Sequence, residues 1–190
     1  MGHIANLTKT FGQYKKNNDG ATAIEFAILI LPFSALLFAI IELAIVFFIQ
    51  STLVFATTDV SRQIRTGQFQ ASCAGVDEFR DQICDNLAGF SNCSDNLSVE
   101  VIRSTTGQFD VALTPPPNTP DPSDPGEPMI VPDQFEQSGP GDVVVVRSLY
   151  YHQLAFPTEF TRLSNQPGNQ RVILATTAFR NEPFPNSTCP

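Results

Sequence analysis

Two carboxylates set in an otherwise apolar stretch, Glu25 and Glu42, are the residues best placed to do chemistry. An unpaired charge at such a depth in lipid costs several kcal/mol, so each calls for a cation, a hydrogen-bond donor or water. Gly20 stands five residues before Glu25, at the end of a short leader whose cations are Lys9, Lys15 and Lys16. The second reactive set is Cys73, Cys84, Cys93 and Cys189, all beyond the apolar run. An even number of cysteines in a small domain reads as two disulfides in an oxidising compartment. No CxxC pair occurs and His152 is the only histidine beyond the run, so neither a zinc site nor another metal is expected. His3 lies in the leader, and no nucleophile motif or glycine-rich phosphate loop follows a strand, which argues against an enzyme and against a cofactor. A net charge of −8 without a basic stripe argues against nucleic acid as a partner.

The element that must position both carboxylates is the run from Phe26 to Ile49, which at ~1.5 Å per residue reaches ~36 Å and spans a ~30 Å hydrocarbon core. It is too long for the apolar core of a cleaved secretory signal. Every lysine precedes it, whereas the nearest following cations are Arg62 and Arg65, so the positive-inside rule puts residues 1–20 in the cytoplasm and residue 50 onward outside. Pro32 removes one helical hydrogen bond and predicts a bend in the first third, with Ser34 close by. Glu42, nearer the outer leaflet, is expected to snorkel to water or to make an intramembrane contact with another subunit, as is the Pro32 bend.

The helical pattern outlasts the membrane. Leu53, Ala56, Val60 and Ile64 recur at three- and four-residue intervals, Arg62 and Arg65 stand in the last turn, and Gly67 is placed to end the helix, which predicts one helix over about 21–66. The remainder, 67–190, reads as a small disulfide-bonded α+β domain. A second helix opens at Asp77-Glu78-Phe79-Arg80 and ends near Gly89; strands follow over 97–103, 142–151 and 171–180, and an antiparallel sheet packed on the helices is the expected outcome. Cys84 and Cys93 bracket the turn between the second helix and the first strand, which favours their pairing and leaves Cys73 for Cys189, although sequence alone admits three connectivities. Residues 114–141 hold nine prolines and read as an exposed insert without a packed core.

The helix entry, Gly20-Ala21-Thr22-Ala23-Ile24-Glu25-Phe26, resembles the class III signal of type IV prepilins. That resemblance implies scission after Gly20 by a membrane aspartyl peptidase, a new N-terminus at Ala21, and Glu25 as the assembly carboxylate that meets the amine freed by cleavage. Together with the helix exit Ser61-Arg62-Gln63-Ile64-Arg65-Thr66-Gly67-Gln68 and the ending Ala178-Phe179-Arg180-Asn181-Glu182-Pro183-Phe184, the chain resembles the TadE-like family of the tight-adherence (type IVc) pilus system. Phe26 departs from the tyrosine common there in major pilins. The resemblance implies a pilin-like minor pseudopilin of the bacterial inner membrane, N-terminus cytoplasmic and C-terminal domain periplasmic or in the pilus. Its implied partners are the prepilin peptidase, other pilins or pseudopilins, the inner-membrane pilus platform and inner-membrane lipid. The competing expectation is an unprocessed single-pass anchor whose outer domain binds a partner or senses a ligand.

Overall fold

A computed structural model describes residues 21–87, 90, 92–110, 131–157 and 161–185. The chain divides into two compact units, one ending at Ile41 and one running from Glu42.

The first unit is the opening half of helix α1 (Ala21–Arg65). From Thr22 to Ile41 its side chains are exposed on every side, with Ser34 and Ala39 alone half-buried. A helix that is apolar all round matches lipid rather than water, and α1 is long and apolar enough to cross a membrane. Pro32 lies within it.

At Glu42 the burial pattern changes. Glu42, Val46, Ile49, Leu53, Ala56, Val60 and Ile64 are all at most 5% exposed and fall three or four residues apart, the spacing of a single helical stripe. From Val46 onward the stripe lies in one hydrophobic core with Val99, Val101, Val144, Val146, Ile173 and Ala175 of a four-stranded sheet. Burying each of the larger side chains contributes ~1.5–3 kcal/mol. Shorter helices α2 (Gln68–Ala71), α3 (Val76–Asn86) and α4 (Cys93–Asn96) lead into β1 (Leu97–Arg103), β2 (Gln134–Phe135), β3 (Val143–Gln153) and β4 (Gln170–Arg180).

The fold is α+β as the sequence indicates, but the sheet is mixed. Its order is β2-β1-β3-β4; β1–β3 and β3–β4 are antiparallel, while β2 joins β1 in parallel through Glu100–Gln134 and Val101–Phe135. Alternation along the strands sends Val99 and Val101 to the helix side. On the other side Val131, Leu149 and Val172 form a second cluster, and Arg147 donates to Glu100 across the strands at 2.9 Å with both side chains only 3% exposed.

The structure bears on the expectation of an exposed insert over 114–141 only in its last part, 131–141, and there it differs. Residues 114–130 lie outside the described residues, but the stretch after them is part of the domain. Val131 is buried at 2% exposure and Ser138 is buried too. Asp133 accepts the Val99 N–H at 2.8 Å and pairs with Arg80, and the Phe135 ring packs 5.2 Å from that of Phe69. Proline keeps this stretch from regular structure, so it is held by side chains and a two-residue strand.

Candidate functional site

Gly20 lies outside the described residues. Ala21 is the first residue of α1, and Glu25 stands one turn in with its side chain exposed. Among the described residues Glu25 has no hydrogen-bond or ion-pair partner. The carboxylate is therefore open to its surroundings.

Glu42 has a different environment. It is 2% exposed, and its Oε1 accepts backbone N–H bonds from Ala155 at 2.7 Å and Phe156 at 3.2 Å, in the turn after β3. Two converging amides offer an anion much of what water would, while Oε2 is buried without a hydrogen bond. The carboxylate is thus held inside its own domain rather than presented to a neighbouring helix. His152 on β3 is half-buried, and burial holds its imidazole below the ordinary value, with the Glu42 charge pulling the other way. Burial likewise raises the Tyr150 phenol. Nearby, Gln50 donates to the Leu174 carbonyl at 3.0 Å, tying α1 to β4.

The Cys84–Cys93 disulfide is formed, with Cα atoms 5.7 Å apart, and closes the turn between α3 and α4. Cys73 is disulfide-bonded as well. Cys189, the residue expected to meet it, lies outside the described residues.

The structure brings together two stretches that the sequence shows only at opposite ends of the domain: the helix exit and the Asn181–Phe184 tail. Helix C-termini leave carbonyls without helical donors. Here the Arg65 carbonyl accepts the Glu182 N–H at 2.9 Å, and the Ile64 carbonyl accepts from Gln70 Nε2 at 3.1 Å. Arg65 Nε also stands 3.3 Å from the Glu182 carboxylate, an exposed pair worth little by itself. Asn181 donates to Ser138 Oγ at 3.0 Å and to the Gly139 carbonyl at 2.8 Å, and Ser138 Oγ also accepts from Gln70 at 3.0 Å. Gly67 has φ 79°, the left-handed conformation that ends a helix, and the Phe184 ring lies against its Cα. The signal for this contact was visible in part: a glycine after the helix with a polar-aromatic tail, but nothing marking them as neighbours.

No curated protein and no solved structure matches the chain. The stretch that begins at Gly20, contains Glu25, Pro32 and Glu42, and runs along α1 through Arg62 is recognised: residues 20–62 match the family model of TadE-like proteins.

Proposed function

We propose that this chain is a minor pseudopilin of a Tad-type pilus, cut after Gly20 by a prepilin peptidase and assembled through its N-terminal helix. The observation that carries the reading is the TadE-like match over residues 20–62, because it takes in the Gly20–Glu25 junction and the apolar helix together. Cleavage creates an amine at Ala21, and Glu25 stands one helical turn away with no partner among the described residues. Pairing the two, within one chain or between neighbours, removes the cost of an isolated charge in lipid. The N-terminal side faces the cytoplasm of a bacterial inner membrane and the disulfide-bonded domain lies outside it, where oxidation is favoured. The partners in this reading are other pilins or pseudopilins and the inner-membrane platform. The role is structural rather than catalytic.

N-terminal sequencing of the protein extracted from membranes tests the central step. Ala21 at the N-terminus is the expected result. Met1 retained on protein from piliated cells refutes processing and favours an unprocessed anchor carrying a binding or sensing domain.

A further inference from the structure

Residues 22–41 are helical and outward-facing, and at ~1.5 Å per residue they cover ~30 Å, the thickness of the hydrocarbon layer. Yet the apolar surface does not stop where the domain begins. Within the domain, Leu43, Ile45, Phe47 and Phe48 are exposed, Phe47 and Phe48 by about two thirds (65% and 64%). At roughly 100° per residue, these side chains spread over an arc of about 200° around α1, leaving only the Glu42–Val46–Ile49 side for the core. A partner helix covers a stripe of about 100°. An arc twice as wide is more than one partner helix covers, and lipid covers it without a second.

The turn after β3 lies at this same end of the domain, because Glu42 accepts the amides of Ala155 and Phe156. Ala155 and Pro157 are exposed beside it. In a chain of net charge −8, the segment from Leu154 to Arg171 carries Arg162 and Arg171 against Glu159 alone, a balance suited to phosphate headgroups. The buried Glu42 fits as well: a carboxylate whose Oε1 is held by two amides of its own chain can enter the interfacial layer without a foreign cation.

We propose that this end of the domain, Leu43–Phe48 of α1 with the Leu154–Pro157 turn, is a lipid-binding surface seated in the headgroup layer of the membrane. The inference rests on the membrane-anchor reading. It makes the bilayer a ligand of the folded domain and not only of the anchor helix. Amphipathic surfaces of this kind bury ~5–10 Å into the headgroup and acyl boundary. Phe55, seven residues beyond Phe48 and exposed, lies ~10 Å farther along the axis. It is in water.

The chain has no tryptophan, so single-tryptophan variants report unambiguously. Full-length F33W, F47W, A155W and F55W are reconstituted in phosphatidylcholine vesicles with and without phosphatidylcholine brominated near the ester end of its acyl chains, and iodide is titrated from the aqueous side. Lipid quenching of F47W and A155W with protection from iodide, and iodide quenching of F55W, is the expected pattern. Iodide quenching of F47W or A155W without lipid quenching overturns the proposal. Insensitivity of either probe to both quenchers also overturns it, because protein then covers the surface. F33W, read also with bromine deep in the acyl chains, separates the two layers of the argument: if it escapes lipid quenching the anchor itself fails, whereas quenching of F33W alone leaves the anchor standing and removes the surface.

Discussion

Replacing Gly67 by alanine tests whether the helix exit and the C-terminal tail form one lock. The native φ of 79° is open to glycine at no steric cost, whereas alanine there pays ~1–2 kcal/mol. The new methyl carbon also falls 2.7 and 2.8 Å from the two Cδ atoms of Phe184 and closer still to its Cγ, so the ring must leave. Loss of that half-buried aromatic contact adds ~1–2 kcal/mol, and the lower entropy of the unfolded alanine chain returns ~0.4–1 kcal/mol. The net expectation is a destabilisation of ~2–3 kcal/mol, a fall in Tm of very roughly 5–10 °C for a domain of this size. Thermal unfolding of the detergent-solubilised chain, followed by circular dichroism, measures it. The diagnostic control is the Phe184→Ala background, where the steric part vanishes and only the backbone strain remains, so the double mutant should lose clearly less than the sum of the singles. A Gly67→Ala change within ~0.5 kcal/mol of the parent, or strict additivity with Phe184→Ala, refutes the lock.

Three further perturbations address other parts of the domain. Glu42→Ala leaves the Ala155 and Phe156 amides unpaired and is expected to cost ~2–4 kcal/mol in chemical denaturation, with Glu42→Gln retaining most of the stability because an amide oxygen still accepts. Cys84→Ser with Cys93→Ser opens a short loop and is expected to cost ~2–3 kcal/mol by the chain-entropy estimate; unchanged stability on reducing the parent protein argues against that contribution. Burial depresses the His152 pKa, so the unfolded state binds the proton more readily: stability from this group is complete above the ordinary value of about 6.5 and declines as pH falls through the lowered one. His152→Gln should flatten the loss of stability on acidification below pH 6.5, and an unchanged pH profile removes the histidine from the account.

Much of this architecture is legible from periodicity. Leu53, Ala56, Val60 and Ile64 disclose the buried stripe of α1, and the alternation of Leu97, Val99 and Val101 discloses β1, because core-facing positions repeat with the geometry of the element that carries them. The Cys84–Cys93 bridge follows from the turn between the two elements. What stays hidden is held by groups without a sequence signature. The donors to Glu42 are backbone amides, which any residue supplies. Val131 and Phe135 join the fold after a proline-rich stretch whose composition speaks only of solvent. Gly67 and Phe184 meet across more than a hundred residues, a distance over which local pattern carries no information.

That last contact bears on how the domain comes into being. The carbonyl of Arg65 waits for the amide of Glu182, and the surface over Gly67 is finished by Phe184. Most of the domain's polypeptide is thus made before its first element acquires this neighbour. A loop closed over so much chain is slow to form. Until then the Arg65 carbonyl lacks its donor from the tail and the network around Gln70 and Ser138 lacks Asn181, so the end of α1 is the last part of the domain to be completed.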